Sequence, residues 1–320
     1  MRFSTRPRPA FTLLELIVVL SIMALLAAMT VSAVFRLLES SRESNTNTHI
    51  RAINVGLEQQ WKAAVDRIKT EDPPKPVKDL TMTQLGPTNF VLDQSRAKAL
   101  HLKLRLRQEF PQNFTEARTG IQVISPADGS SYIYGPKTAY INVIRDASAI
   151  SLPTEAEGAA LLMLIVSQTR AGSSFNAEGA GPTQVIEFDR IPIPPLPPPP
   201  PGAKLPLKVY VDAWGRPISF RRAAAETQLD VVTELNLAPF VTPAMMASLN
   251  MDPQDPEGRL KLNNWPGKAT ALGYFATAPL ANPFDGLNRG PYIYSGGRDK
   301  QFGNDDDLYS FRLQATGKGN

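Results

Sequence analysis

The fold turns on the stretch Ala10-Phe11-Thr12-Leu13-Leu14-Glu15-Leu16-Ile17-Val18-Val19-Leu20-Ser21-Ile22-Met23-Ala24-Leu25-Leu26-Ala27-Ala28-Met29 and its continuation to Phe35. No side chain from Leu16 to Phe35 carries a charge. A helix of that length rises roughly 30 Å, the thickness of a bilayer's hydrocarbon core. Arg2, Arg6 and Arg8 stand on its N-terminal side, so the segment reads as a single membrane span with a cytoplasmic N-terminus. A cleavable secretory signal fits less well, because its cut would follow the apolar run at a small-x-small site and this run continues without a polar break. Glu15 is the exception within the segment. A carboxylate at the head of an apolar helix costs about 3 kcal/mol in lipid unless it finds a partner, which marks Glu15 as functional.

The junction Ala10/Phe11, with Thr12-Leu13-Leu14-Glu15 and the apolar helix behind it, resembles the type IV prepilin cleavage and methylation motif. In that family a membrane prepilin peptidase cuts after a small residue, normally glycine, and methylates the new terminal amine. The resemblance implies a cut between Ala10 and Phe11, with Glu15 as the fifth residue of the mature chain and Ala10 standing where the family has glycine. It also implies partners: the prepilin peptidase, other pilin or pseudopilin subunits, an inner-membrane assembly platform and membrane lipid. In a filament of stacked helices the Glu15 carboxylate would pair with the Phe11 amine of a neighbouring subunit, so that two groups costly in lipid satisfy each other. A generic single-span anchor would need only the apolar run.

Composition narrows the alternatives. Cysteine is absent and only His49 and His101 are present, which excludes disulfides, thiolate metal sites, a cysteine nucleophile and a multi-histidine centre; any metal must be held by oxygen. The formal charge is +4, yet removing the first ten residues leaves 31 basic against 30 acidic side chains. Bulk charge therefore gives no support to nucleic-acid binding. No P-loop, G-x-S-x-G or defensible Ser/His/Asp set is present, so catalysis is not expected.

Beyond the membrane, Ile50, Ile53, Leu57, Trp61, Val65 and Ile68 recur at spacings of three and four and extend the helix until Pro73-Pro74. Such a stem would measure roughly 90 Å if straight. The polar run Ser40–Thr48 and Gly56, which costs about 1 kcal/mol against alanine, are open to local melting. His49 reads as a solvated helix residue. Leu100, Leu102, Leu104 and Leu106 alternate with His101, Lys103, Arg105 and Arg107; leucine's preference points to a helix over 94–108, its basic side a solvated charged face. Thr154–Thr169 reads as a core helix with Thr154 as cap and Glu157 completing a capping box. Ser130–Tyr134 and Tyr140–Ile144 read as strands, and Gly172–Pro182 as loop.

Ile191–Pro206 contains nine prolines and reads as a stiff polyproline II spacer. Leu207–Phe220 reads as strand, turn, strand, with Asp212 and Gly215-Arg216-Pro217 making the turn. Asp212-Ala213-Trp214-Gly215-Arg216-Pro217 is similar to the Asp-Pro-Trp-Gly-x-Pro turn of the major pseudopilin of type II secretion; ordinary packing of Trp214 would account for it equally. Near the C-terminus Asp299, Asp305, Asp306 and Asp307 crowd a glycine-containing loop. Hard oxygen donors on a folded-back loop suit Ca²⁺, although the spacing is not that of an EF-hand. The loop resembles the C-terminal calcium loop of the major pseudopilin, which implies Asp299 as its early aspartate and Asp306-Asp307 as its pair, with Ser295 or nearby carbonyls as further ligands. A solvated acidic turn is the alternative.

The resulting organisation is a leader over 1–10, a transmembrane helix over 11–35, its periplasmic continuation over 36–70, an enlarged α/β insertion over 71–190, the polyproline segment 191–206 and a β-sheet region 207–320 ending in the calcium loop. The fold class is α+β and pilin-like: a long N-terminal transmembrane helix packed on an antiparallel sheet head with extra helices. The expected role is that of a pseudopilin-like subunit of a type II secretion or type IV pilus-like filament, anchored in the inner membrane with its head in the periplasm. The alternative is a membrane-tethered or pilus-displayed adhesin or binding protein.

Overall fold

A computed structural model describes residues 13–84, 90–147, 154–168, 175–190, 200, 202–222, 290–299 and 307–310. Helix α1 runs over Leu13–Thr70 without a break. The chain divides into two units, residues 1–46 and 47–320. In the second, Ile50, Ile53, Leu57, Trp61, Val65 and Ile68 of α1 lie on one stripe and enter the main core, as their three- and four-residue spacing requires. Ser40–Thr48 and Gly56 both lie within this helix. A Cβ on Gly56 would lie 2.6 Å from the Phe175 ring, so the missing side chain is what lets that ring seat on the helix, and packing outweighs glycine's poor propensity. His49 is half-buried rather than solvated, because Gly181 leaves room for its imidazole.

Short elements follow. Helix α2 (Lys75–Leu80) carries Pro76 in its first turn, where a missing N–H costs nothing. Strands β1 (Met82–Gln84) and β2 (Phe90–Leu92) pair antiparallel. Helix α3 spans Gln94–Glu109, with the Asp93 carboxylate accepting the Arg96 N–H at 2.9 Å as its cap. Residues two apart on a helix differ by roughly 200°, so alternating leucines fall on opposite sides. Leu102 and Leu106 join the main core, whereas Leu100 and Leu104 join a second core with Val77, Leu80, Ile121, Val123 and Tyr134. The helix is thus clamped between two cores. Its basic side is correspondingly not solvated: His101 and Lys103 are buried, Arg105 bonds both oxygens of Glu71 at 2.9 Å, and Arg107 pairs with Glu116 at 3.5 Å.

Helix α4 (Phe114–Arg118) is capped by Asn113, whose side chain accepts the Glu116 N–H. Strands β3 (Ile121–Ile124) and β4 (Ser131–Tyr134) form a hairpin. Tyr140–Ile144, expected as a strand, belongs to helix α5 (Thr138–Ile144). Tyr140 and Ile144 are both fully buried, four residues apart on one helical face, so tertiary packing overrides their β preference. The core helix α6 spans Thr154–Val166, with Ala159, Ala160, Leu161, Leu162 and Ile165 fully buried. The Thr154 side chain of the expected capping box lies outside what the structure describes; the Glu157 carboxylate accepts the N–H of Phe114 at 2.8 Å and so caps α4. Gly158 brings α6 close to the Ser219 hydroxyl.

A 3₁₀ turn at Ala177–Gly179 precedes strand β5 (Thr183–Asp189), which pairs along its whole length with β6 (Lys204–Tyr210). Lys204–Pro206, read as polyproline, therefore belong to a sheet; residues 191–199 and 201 lie outside the described residues. The expected hairpin over Leu207–Phe220 shrinks to the bridge Val211↔Pro217, after which the chain enters β7 (Ser219–Arg221). Strand β7 pairs with β8 (Tyr292–Ser295), and β8 with β9 (Leu308–Tyr309). The head is mixed α+β with antiparallel pairing throughout the described residues, consistent with a pilin-like fold, but its strands form several small sheets rather than one.

Candidate functional site

The N-terminal half of α1 is chemically uniform. From Leu13 to Leu38 its large apolar side chains are 47–76 % exposed. The helix is long and apolar enough to cross a membrane, and it is the single such helix among the described residues. Two of its hydroxyls suit that environment: Ser21 Oγ donates to the Ile17 carbonyl and Thr30 Oγ1 to the Leu26 carbonyl, each at 2.8 Å. Bonded back to the preceding turn, they present no unsatisfied donor to lipid. Glu15 lies on this helix. Ala10 and Phe11 lie outside the described residues, as do Asp305 and Asp306.

The second constellation is the base of the C-terminal loop. Ser295 pairs with Leu308 at the end of the β8–β9 ribbon. Gly297, at a φ of 56°, turns the chain as it leaves β8, a conformation that glycine adopts without steric cost. Asp299 is exposed in the following turn, whereas Asp307 is buried, with its Oδ2 accepting the Tyr309 hydroxyl at 2.8 Å. Among the described residues no cluster of three or more His, Asp or Glu is placed to hold a metal. Asp299 follows β8 and Asp307 immediately precedes β9.

The sequence reading placed Asp212 in a turn but missed its larger role. Asp212 Oδ1 accepts the N–H groups of Trp214 and Arg216, each at 2.9 Å, and the Asp212 N–H bonds the Arg216 carbonyl. Gly215, at a φ of 80°, completes the turn. The other carboxylate oxygen, Oδ2, accepts the buried Ser295 hydroxyl at 2.6 Å. One buried aspartate therefore shapes the turn and fastens it to the base of the C-terminal loop. An aspartate two residues before Trp214 hinted at the turn, but nothing local in sequence points to a serine on β8.

The lower end of α1 is held by charge. Arg105 brackets Glu71 from α3, and His101 Nε2 stands 3.3 Å from Glu71 Oε2 while its Nδ1 meets the Tyr134 hydroxyl at 2.8 Å. Burial pushes the Glu71 carboxyl up, but Arg105 and His101 outweigh it and hold the group below its usual range. Burial holds the His101 imidazole below its usual value against the opposing pull of Glu71. One turn earlier, Arg67 and Lys137 flank the fully buried Glu109 carboxylate.

Residues 6–31 match the family model described as the prokaryotic N-terminal methylation motif. The matched span includes Ala10, Phe11 and Glu15, and the motif supports a type IV pilin-like protein, a structural rather than an enzymatic class. No curated protein and no solved structure matches the chain.

Proposed function

We propose that the chain is a pseudopilin-like subunit of a type IV pilus-like or type II secretion filament, assembled from the inner membrane through α1. The observation that carries this reading is the methylation motif at residues 6–31 running into a helix whose large apolar side chains are exposed. A prepilin peptidase cuts between Ala10 and Phe11 and methylates Phe11, the arginine-bearing N-terminus stays cytoplasmic, and the head occupies the periplasm. The Glu15 carboxylate then pairs with the Phe11 amine of a neighbouring subunit. The loop 296–307 takes Ca²⁺ through Asp299 and the Asp305–Asp307 run, a reading favoured by the β8–β9 pairing and the all-oxygen donor set. Mass spectrometry after co-expression with a prepilin peptidase tests the processing step. A chain beginning at methylated Phe11 is expected, and an intact Met1 or a cut beyond Phe35 contradicts it.

A further inference from the structure

Among the described residues, strand β6 has one edge without a neighbouring strand. Val211 N–H donates to the Pro182 carbonyl at 3.0 Å and Arg190 N–H to the Ala203 carbonyl at 3.1 Å, which sets the phase of the β5–β6 ladder. Odd-numbered residues of β6 bond across to β5, and even-numbered ones turn their N–H and C=O outward. Two outward groups are used at the strand's end and just past it: the Tyr210 carbonyl accepts the Ile218 N–H, and the Asp212 N–H donates to the Arg216 carbonyl. The returning chain then departs to pair with β8. The outward main-chain groups of Lys204, Pro206 and Lys208 make no hydrogen bond among the described residues. Pro206 fits this edge because its absent N–H would have faced outward.

A cleft of about 530 Å³ runs along the same edge, lined by Pro206, Leu207 and Lys208 on one side and by Val143, Met163 and Leu164 on the other. Consecutive residues of a strand face opposite sides of a sheet, so a cleft touched by three in a row meets the strand at its edge. Its volume exceeds that of any one side chain. Lys204 and Lys208 project from one face of β6 beside it, both exposed, paired with Asp189 and Glu178 respectively.

We propose that the Lys204–Lys208 edge is a docking site for an extended segment of a partner protein, which adds to β6 as a third strand. The partner places a large apolar side chain in the cleft and acidic side chains beside the two lysines. Lys208 offers it both a donor and an acceptor, and Pro206 an acceptor alone. Edge lysines and a proline repel indiscriminate strand pairing. A strand that brings carboxylates to Lys204 and Lys208 meets opposite charge across the new pair, so the same residues select an acidic, apolar-bearing segment. Exchanging the exposed Glu178 for a partner carboxylate loses little, since exposed ion pairs are weak. The surface lies in the head and stands independently of the filament reading.

The test titrates full-length protein in detergent micelles with a short synthetic peptide of alternating glutamate and valine around a central leucine, followed by calorimetry and amide hydrogen exchange. On saturation the Lys208 amide exchanges more slowly by about tenfold or more. The same peptide carrying main-chain N-methyl groups at alternate residues, in either phase, loses binding in the phase that faces β6. Leu164→Asp abolishes binding by charging the cleft, and Lys208→Pro weakens it by removing the outward donor without touching the β5 ladder. Unchanged Lys208 exchange up to about 1 mM peptide, or equal binding by both N-methylated peptides, overturns strand addition. Protection of Lys208 that rises with protein concentration in the absence of peptide overturns it in favour of a second copy of the chain.

Discussion

The Ser295 hydroxyl donates to Asp212 Oδ2 across 2.6 Å, joining two segments 83 residues apart at a fully buried position. Asp212→Ala deprives that hydroxyl and the turn amides of Trp214 and Arg216 of their acceptor at once. Unsatisfied buried groups of this kind cost about 2–4 kcal/mol in total. Denaturant unfolding should show that loss for Asp212→Ala, and Ser295→Ala in the same background should cost much less than it does in the native chain, because the two share one bond.

Gly56→Ala should destabilise despite alanine's better helix propensity. The gain is about 1 kcal/mol, whereas forcing a Cβ to within 2.6 Å of the Phe175 ring costs about 1–3 kcal/mol of overpacking. Truncating the ring reverses the sign. In a Phe175→Ala background the same Gly56→Ala change should stabilise, and thermal melting of the four chains measures the coupling.

How far the sequence could be read depended on whether a signal was local. The stem was legible because Ile50 to Ile68 repeat at helical spacing and the membrane segment is a continuous apolar run. Helix α3 was legible as a helix, yet its surroundings were not, since a two-residue alternation of leucines gives no single apolar face. Only the presence of two cores explains it. Leu100→Ala and Leu102→Ala should each cost about 2–5 kcal/mol, whereas a one-faced helix would leave one of them nearly neutral. Tyr140–Ile144 was misread because β-branched residues on a short helix give the same composition as a strand, and the bond from the Phe114 N–H to Glu157 was not legible because the two lie 43 residues apart. For the calcium loop, Asp299 follows β8 and Asp307 immediately precedes β9, and no local pattern announces the pairing of Ser295 with Leu308.

The buried His101 makes the head sensitive to acid. Its pKa is lowered from 6.5 and that of Glu71 from 4.5, so both groups take up protons more readily in the unfolded chain. Their contributions are present at neutral pH and are lost as pH falls, that of His101 first and that of Glu71 further into acid. Arg105, Asp72 and Tyr134 complete the surroundings of the imidazole. Glu157, raised by burial, acts in the opposite sense, and its contribution fades as pH rises through its folded-state pKa. Melting temperature should therefore fall between pH 7 and pH 5, and His101→Gln should flatten that part of the profile; a profile unchanged by His101→Gln would assign the dependence to other groups.

Calcium should raise the melting temperature of the full chain. Binding to the native state alone adds RT ln(1 + [L]/Kd), about 2.7 kcal/mol at a hundredfold excess over Kd. Magnesium should substitute poorly, since it demands tighter octahedral geometry and releases water reluctantly. Asp306→Ala with Asp307→Ala should abolish the calcium response. Equal melting in calcium and in chelator leaves the acidic-turn reading.

The central claim, that this chain is a filament subunit built through its N-terminal helix, is tested most directly by its distribution between sheared filaments and membrane in cells carrying the assembly machinery. The native chain should appear in the filament fraction, shortened to begin at Phe11. Glu15→Val should insert into the membrane as well as the native chain does, because the segment only becomes more apolar, and should be absent from filaments. Native chain confined to the membrane, or Glu15→Val entering filaments at the native level, would contradict the account.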